Sequence, residues 1–419
     1  MASPQVYASI ITIGDELLIG QTIDTNSAWI AQELNKIGIW VHRRVAVGDV
    51  WEDIWKSLGD ESHVSQVILI TGGLGPTADD ITKPLLCQYF SGKLVINEEA
   101  LNNVKNIFTN ILKKPLIERN LKQAEVPDVC TVIQNKRGTA PGMWFEKEEK
   151  IFISMPGVPH EMKGMMNHSI LPRLKERFTL PPIIHRTLLT AGIGESFLAE
   201  RISDFESTLP TNIKLAYLPN YGMVKLRLTA RGRSERMMAE LEAEFDMLKQ
   251  KVHDVIVAEE DLSMQEVVGN LLKTVNKTMC TAESCTGGYI SHLITTVPGS
   301  SAYFKGSIVS YANEVKQDLL SVDAHTIAQF GAVSKETASQ MVKAAIRQLK
   351  ADYALVTTGI MGPDGGSPDK PVGTVWVGVG NAVKTETHHF YFRFDRQRNI
   401  ELTATYALNT LRKFILQDH

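Results

Sequence analysis

The sequence has few cysteines, no long apolar run and no marked charge imbalance. Its four cysteines are scattered and form no CxxC pair, which argues against a disulfide framework and fits a reducing compartment: Cys87, Cys130, Cys280 and Cys285. The first residues show no basic segment followed by a continuous apolar stretch, and no run of about 18 uninterrupted apolar residues occurs. We therefore expect a cytoplasmic protein that is neither secreted nor membrane-spanning.

The bulk composition is that of an ordinary globular protein, with 43% hydrophobic and 22% charged residues. A formal net charge of -3 provides no general attraction for phosphate backbones, so nucleic acid is not expected as a partner. A chain of 419 residues exceeds what one hydrophobic core normally supports. Two or three domains are therefore expected.

The order of apolar segments predicts three domains. Strands alternate with amphipathic helices over residues 1–175, which predicts a mostly parallel sheet covered on both faces, in a three-layer α/β arrangement. After a break at Pro181-Pro182, residues 176–258 read as strand, helix, hairpin and helix, typical of a small α+β module. Residues 259–419 begin with another amphipathic helix and predict a second α/β domain.

The segment TAESCTGG (281–288) follows an apolar strand and opens a helix. Such a turn exposes backbone N–H groups and the positive end of a helix dipole, so we expect Thr286, Gly287 and Gly288 to bind a substrate oxygen. Ser284 lies where a nucleophile can project from the sheet edge. Serine is also a preferred N-cap residue, and that alternative stays open. Cys285 has no nearby histidine, so we interpret it as a packing residue.

A serine nucleophile needs a base, and the segment GSIVSYANEVK contains Tyr311 and Lys316. A lysine can act as that base only if burial or neighbouring positive charge lowers its pKa. No histidine lies near either motif. Whether Lys316 meets Ser284 is not evident from spacing, and a solvated lysine is the alternative.

A third segment, TTGIMGPDGGSPDKPVGTVWVG, places many glycines between two strands. Glycine lets the backbone approach a ligand closely, so Thr358, Gly359 and Gly362 are candidates for holding a sugar or phosphate. Arg396 in RFDRQR adds a planar donor suited to phosphate. A long hairpin without a ligand is the alternative.

Near the start of the chain, TGGLGPTADD follows the apolar strand VILI. Glycines in this loop allow a phosphate to approach the backbone, and neighbouring carboxylates supply oxygens suited to a divalent cation. The residues concerned are Gly72, Gly73, Gly75, Asp79 and Asp80, with Asp15 and Glu16 as a second acidic pair. Helix caps or turn residues are the alternative roles for these aspartates.

The blocks TAESCTGG, GSIVSYANEVK, GIMGPDGGSPDKPVGTVW and FDR, in this order, closely resemble the C-terminal domain of the CinA family of nicotinamide mononucleotide amidases. The resemblance implies a serine–lysine amidohydrolase without a cofactor, in which Ser284 and Lys316 occupy the matching positions. It also implies that Tyr311, Thr358 and Arg396 shape the pocket or hold the nucleotide. Phe394 replaces the family's usual glycine, and Ile400 stands where a basic residue is frequent, which puts the phosphate contacts in doubt.

The blocks TIGDELLIGQTIDTN, TGGLGPTADDITK, GTAPG and MPGVPHEM resemble the other half of CinA proteins, which is related in fold to molybdopterin-binding proteins. This resemblance implies hydrolysis of ADP-ribose to AMP and ribose 5-phosphate, assisted by a divalent cation of unknown identity. Asp15, Asp79 and Asp80 are the candidate metal ligands. The candidate substrate-binding residues are Gly72, Gly73, Gly75, Thr77 and Asn26, and Glu161 is a further candidate.

The resemblance therefore predicts a bifunctional hydrolase of pyridine-nucleotide recycling whose partners are small-molecule nucleotides and a second copy of the chain. Two alternatives stay open. The N-terminal domain could bind a pterin or nucleotide without hydrolysing it, or the chain could be a competence or recombination accessory protein that acts by binding other proteins.

Overall fold

The computed structural model describes residues 5–77, 79–180, 183–232 and 234–419. The chain divides into two compact units, Met1–Ile184 with Arg231–Met237, and His185–Ala230 with Met238–His419. The break expected at Pro181-Pro182 lies outside the described residues. The boundaries at 175 and 258 stay predictions.

The first unit is built on a six-stranded sheet in the order β2-β1-β3-β8-β7-β6. Strands β1, β2, β3 and β8 pair in parallel, and β7 and β6 complete the sheet in antiparallel fashion. A separate antiparallel ribbon joins β4 and β5. The strands are β1 Tyr7–Ile13, β2 Trp40–Val47, β3 Val67–Thr71, β4 Leu94–Ile96, β5 Glu125–Pro127, β6 Thr131–Ile133, β7 Gly142–Lys147 and β8 Lys150–Met155.

Successive residues of the central strands enter two different hydrophobic cores, one on each face of the sheet. Ile10 and Leu69 belong to one core, and Ile11 and Ile70 belong to the other. Because neighbouring side chains of a strand point to opposite faces, this alternation produces the predicted three-layer α/β arrangement. The covering helices are α1 Asp15–Leu18, α2 Thr25–Lys36, α3 Trp51–Val64, α4 Thr82–Tyr89, α5 Glu98–Asn106, α6 Glu118–Leu121, α7 Pro159–Met165 and α8 Leu171–Arg177, with π-helical turns at Ile107–Leu112 and Met166–Ile170 and a 3-10 turn at Lys122–Ala124.

A smaller four-stranded sheet follows, in the order β10-β11-β9-β12. The predicted hairpin reverses at Tyr221 and Gly222, which both have positive φ. The elements are β9 Ile183–Ala191, α9 Glu195–Arg201, α10 Ser203–Thr208, β10 Ile213–Asn220, β11 Met223–Arg231, α11 Glu235–Val252, a 3-10 turn at His253–Val255 and β12 Ile256–Ala258.

The C-terminal part contains a five-stranded sheet in the order β14-β13-β15-β16-β17. Its first three strands are parallel, with β13 between β14 and β15, and the last two are antiparallel. The elements are α12 Met264–Thr274, β13 Met279–Glu283, α13 Tyr289–Thr295, a 3-10 turn at Ser300–Ala302, β14 Phe304–Val309, α14 Asn313–Asp318, α15 Ala324–Phe330, α16 Lys335–Leu349, β15 Tyr353–Gly359, β16 Thr374–Gly380, β17 Thr385–Tyr391 and α17 Arg396–Asp418. Within the described part of the chain, every helix is too short or too polar to cross a bilayer.

Candidate active site

Ser284 directly follows the buried strand β13 and begins the turn that leads into α13. Its backbone N–H donates to the carbonyl oxygen of Thr357 on the neighbouring strand at 2.9 Å. Gly287 and Gly288 close the turn with φ values of 59° and 96°, a region that glycine adopts without strain. The N-cap of α13 is Gly288, so Ser284 does not cap this helix. Its hydroxyl is instead available for chemistry.

Lys316 lies in α14 and is 1% exposed, so it is not a solvated surface lysine. Its Nζ lies 3.1 Å from Ser284 Oγ. The same amine donates to the carbonyl oxygens of Ser310 at 2.8 Å and Tyr311 at 3.3 Å. Burial lowers the pKa of Lys316 below its ordinary value. The structure thus places Lys316 beside Ser284, a contact that was not evident from their spacing in the sequence.

The surroundings of this amine suit a base. A neutral amine has two N–H donors and one lone pair, and the two carbonyl oxygens of Ser310 and Tyr311 accept the two donors. The lone pair is then left for the hydroxyl proton of Ser284. Cys285, next to the serine, is buried, and burial raises its pKa to about 12. A thiol in that state is inert, in agreement with a packing role.

The turn amides expected to bind a substrate oxygen are partly used inside the protein. Gly287 N donates to Ser284 O at 3.1 Å, and Gly288 N donates to the carboxylate of Glu283 at 3.1 Å. The Thr286 hydroxyl also donates to Glu283, at 2.7 Å. Sequence reasoning missed Glu283, although an ionisable residue at the end of the apolar strand MCTAE was a signal.

Tyr311 and Arg396 meet at the mouth of the site. The Arg396 guanidinium donates to the Tyr311 hydroxyl at 2.9 Å and to the carbonyl oxygen of Gly362 at 2.7 Å. Both side chains are exposed, so they can reach a ligand. The structure therefore joins three of the predicted pocket residues.

Two other predicted pocket residues have internal roles. Thr358 is 1% exposed and its hydroxyl donates to Ala332 O at 2.8 Å. A Cβ on Gly359 would lie 2.8 Å from Thr374 O, so glycine permits close strand pairing there. Both residues therefore have structural contacts within the protein.

The two departures from the family pattern lie on or beside the first turns of α17. Phe394 is exposed, and the Arg398 guanidinium covers its ring at 4.7 Å from the centroid. Ile400 packs against the hydrophobic core of the C-terminal part. A basic residue at position 400 would therefore leave its charge beside apolar side chains, and Ile400 itself offers no phosphate contact.

In the first unit, the predicted glycine loop lines a cavity of about 420 Å³ together with Glu16, Asp79, Asp80 and Glu161. Gly72 and Gly73 have φ values of 115° and 63°. A Cβ on Gly72 would lie 2.2 Å from Ile13 O. Glycine is thus required here by the close packing of the loop against the sheet edge.

Asp80 organises this loop. Its carboxylate accepts hydrogen bonds from Gly75 N at 2.8 Å, from Thr77 N at 2.8 Å and from the Thr77 hydroxyl. The neighbouring Asp79 is exposed. The turn role that the sequence left open is therefore the one that Asp80 performs.

Asp15 forms a reciprocal pair with Asp49, a residue that the sequence did not single out. Asp15 N donates to Asp49 Oδ2 and Asp49 N to Asp15 Oδ1, both at 3.2 Å. Burial raises the pKa of Asp49, and the charges of Asp15, Glu16 and Asp79 add to this effect. Over residues 5–77, 79–180, 183–232 and 234–419, no three His, Cys, Asp or Glu side chains converge on a possible metal position. The metal role of Asp15, Asp79 and Asp80 stays a prediction.

Asn26 and Glu161 lie at the rim of the same sheet edge. Asn26 Nδ2 donates to Gly157 O at 2.6 Å, and it lines a second cavity of about 130 Å³. Glu161 accepts a hydrogen bond from Asn135 Nδ2 at 2.6 Å. Both side chains thus border cavities at the carboxyl ends of parallel strands, where open α/β sheets bind ligands.

Comparison with known proteins gives the family. A CinA-like protein of Cytophaga hutchinsonii is 44% identical over 409 residues, which are 97% of this chain and 98% of that protein. A CinA-like protein of Flavobacterium psychrophilum is 45% identical over 414 residues, covering 98% of this chain and 99% of that protein. The chain belongs to the CinA family.

Three family descriptions match consecutive parts of this CinA chain: "Probable molybdopterin binding domain" over residues 9–176, "Damage-inducible protein CinA KH domain" over 185–256 and "CinA C-terminal domain" over 261–415. A solved structure described as the protein CinA with unknown function, from Thermoplasma acidophilum, is 34% identical and covers 42% of this chain and 99% of its own, with a TM-score of 0.37. The relatives and the matching family descriptions confirm the expected family and the molybdopterin-binding-like first domain.

Proposed function

We propose that the C-terminal domain is a serine–lysine amidohydrolase that converts nicotinamide mononucleotide to nicotinate mononucleotide and ammonia. The observation that carries this proposal is the 3.1 Å contact between the buried Lys316 amine and Ser284 Oγ. The nucleotide itself is inferred from the resemblance of the sequence blocks to the amidase family.

In this mechanism the neutral Lys316 amine accepts the proton of Ser284 Oγ, and the oxygen attacks the carboxamide carbon. The tetrahedral intermediate carries a negative oxygen. Lys316 then returns the proton to the departing nitrogen, which leaves as ammonia. Water hydrolyses the acyl-serine ester, with the same lysine accepting a proton from the water.

The oxyanion needs donors that are not already paired. Because Gly287 N and Gly288 N are used inside the turn, we infer that the N–H groups closer to the nucleophile, at Cys285 and Thr286, stabilise the negative oxygen. Arg396 and Tyr311 would receive the phosphate end of the nucleotide at the mouth, since a guanidinium presents several donors in one plane.

The test is release of ammonia and nicotinate mononucleotide by the purified chain, compared with Ser284→Ala. Ser307→Ala is a matched control because it removes a serine hydroxyl from the adjoining strand β14. The Oγ of Ser307 makes no hydrogen bond among the described residues. We expect wild type and Ser307→Ala to turn over the substrate and Ser284→Ala to be inactive. Absence of ammonia with the wild-type chain would instead favour an accessory protein that acts by binding.

For the first unit we propose a site for the diphosphate of an ADP-ribose-like nucleotide, with hydrolysis to AMP and ribose 5-phosphate. The supporting observation is the cavity of about 420 Å³ lined by the backbone of Gly72 to Gly75 at a sheet edge. The test is AMP formation from ADP-ribose with added divalent ions and with a chelator. Binding without hydrolysis under either condition would favour a pterin- or nucleotide-binding module.

A further inference from the structure

Glu283 is a carboxylate with 0% exposure at the end of β13, directly before the nucleophile. No lysine, arginine or histidine of the described residues forms an ion pair with it. An unpaired buried charge is costly, so hydrogen bonds must stabilise it. Six donors do so: Thr286 Oγ1 at 2.7 Å, Gly288 N at 3.1 Å and Ile290 N at 3.0 Å on Oε2, and Ser291 N at 2.8 Å, Ser291 Oγ at 2.8 Å and Thr281 Oγ1 at 3.3 Å on Oε1.

Most of these donors belong to the turn after Ser284 and to the first turn of α13, so Glu283 binds the chain that follows the nucleophile. The other side of the serine is held by Thr357, whose carbonyl oxygen accepts Ser284 N at 2.9 Å. The Thr286 hydroxyl links the two anchors, since it lies 2.8 Å from Thr357 Oγ1 and also donates to Glu283. Ser284 is therefore fixed from both sides.

Each side-chain oxygen of Glu283 accepts at least one backbone N–H, from Ser291 on Oε1 and from Gly288 and Ile290 on Oε2. A glutamine would therefore turn its N–H₂ group towards a backbone N–H in either orientation. The isosteric amide would break part of the network without creating a cavity. The first turn of α13 would then move relative to β13, and the amides beside Ser284 would move with it.

We propose that Glu283 is a positioning residue of the amidase, which holds the nucleophile turn so that Ser284 Oγ faces Lys316 and the oxyanion donors. The inference rests on the proposed serine–lysine chemistry. It adds a residue that touches neither substrate nor reacting atoms but determines where the reacting atoms lie.

A matched control lies at the opposite end of the same strands. The Asp352 carboxylate, just before β15, accepts hydrogen bonds from Thr278 N at 2.8 Å, Thr278 Oγ1 at 2.7 Å and Lys277 Nζ at 3.3 Å. Asp352→Asn therefore disturbs a similar carboxylate network far along β13 from the nucleophile. A purely structural role for Glu283 predicts that the two amide variants behave alike.

The experiment compares the full-length wild type with Glu283→Gln, Ser291→Ala and Asp352→Asn. Steady-state kinetics with nicotinamide mononucleotide separates kcat from KM. A second assay uses a fluorophosphonate, from whose phosphorus the oxygen of Ser284 displaces fluoride, and mass spectrometry follows the rate of labelling. The second assay reports the reactivity of the serine without assuming the substrate. Thermal unfolding shows which variants are folded.

We expect Glu283→Gln to lower both kcat and the labelling rate roughly 100-fold with little change in KM, the scale of losing one oxyanion donor. Ser291→Ala removes one hydroxyl donor and should reduce both rates several-fold, so it keeps the test open if Glu283→Gln does not fold. Asp352→Asn should leave both rates within about twofold while lowering the melting temperature.

Equal rates for a folded Glu283→Gln and Asp352→Asn would overturn the proposal. If the wild type labels at Ser284 but releases no ammonia, the proposed substrate fails, while loss of labelling in Glu283→Gln still supports the positioning role. If the wild type neither labels nor releases ammonia, the proposed serine–lysine chemistry and the positioning role both fail.

Discussion

Two glycine-rich turns of this chain are built on the same plan and differ in what holds them. Each follows a fully buried parallel strand, β13 in one case and β3 in the other, and in each a carboxylate accepts backbone amides of the turn. Glu283 belongs to the strand itself and is completely buried, whereas Asp80 closes the loop from its far end and is partly exposed. The carboxylate of the first turn is therefore anchored in a core, and the carboxylate of the second turn lies in the loop itself.

This difference suits different chemistry. A nucleophile must be held in place before the substrate arrives, because positioning during the reaction would raise the barrier. A loop around a phosphate can adjust, and loops with few buried contacts open at low free-energy cost. The Ser284 turn thus has the features of a preformed reaction centre, and the Gly72–Asp80 loop has those of a ligand-binding loop.

The largest expected effect comes from removing the reaction centre. Ser284→Ala and Lys316→Met should each reduce amidase kcat roughly 1,000-fold or more, and the double variant should be no slower than the worse single variant, because the two residues act as one unit. Ammonia release under saturating substrate measures all three. A double variant much slower than either single variant would show that the two residues act independently.

Each unit also contains a buried lysine, and comparing the two tests whether burial serves the proposed catalysis or only the fold. Lys83 donates to the carbonyl oxygens of Lys122 and Gln123, at 3.4 and 3.0 Å, and burial lowers its pKa to about 8 from 10.5. Below pH 8 the lysine is protonated in both folded and unfolded chains; between pH 8 and 10.5 only the unfolded chain keeps the proton. The free energy of unfolding should therefore rise with pH across that window.

The expected rise is about 3 kcal/mol, from about 1.4 kcal/mol per pKa unit, and it should be missing in Lys83→Met. Urea unfolding at about pH 7 and about pH 10 measures the free energy of unfolding of wild type and of Lys83→Met. The contributions of the other titrating groups are the same in both proteins and cancel when the two are compared. Parallel pH dependence of the two proteins would show that the Lys83 amine is not desolvated.

For Lys316 the corresponding effect is on rate. Because burial lowers its pKa, the neutral form becomes available at lower pH, and kcat/KM should increase about tenfold per pH unit until that pKa is passed. This increase of kcat/KM with pH should be absent in Lys316→Met and present in Lys83→Met. An increase unchanged by Lys316→Met would assign the titration to another group.

The smallest effect is expected at the loop anchored by Asp80. Asp80→Asn exchanges a charged acceptor for a neutral one in a partly exposed turn, so it should cost about 1 kcal/mol of local stability. Hydrogen exchange of the amides of Gly75 and Thr77 measures this directly and should accelerate severalfold. The amides of Ile290 and Ser291, which bind Glu283, should stay protected in the same protein. If Asp80→Asn accelerated hydrogen exchange equally in both turns, the two turns would not be held independently as described.

Much of the fold was predictable because it follows from local patterns. Alternating apolar strands and amphipathic helices indicated the parallel sheets, and the order of segments in residues 176–258 indicated the hairpin of the middle module. The position of Ser284 in a strand-to-helix turn was also a local feature. Asp80 was harder, because the same short spacing fits a metal ligand and a turn residue, and only the tertiary structure shows its turn contacts with Gly75 and Thr77.

Residue order along the chain thus established the strands, the turns and the identity of the candidate nucleophile, since these depend on neighbouring residues. The base depended on tertiary structure: parallel pairing of β13 with β14 brings the start of α14 beside Ser284, 32 residues earlier in the chain. The same is true of the lowered pKa of Lys316, because its burial depends on elements that are distant in sequence. The donors to Glu283 are local, and only the link from Thr286 to Thr357 reaches a distant strand. The sequence shows which chemical groups are present. Tertiary packing determines which of them are buried, hydrogen-bonded and close enough to react.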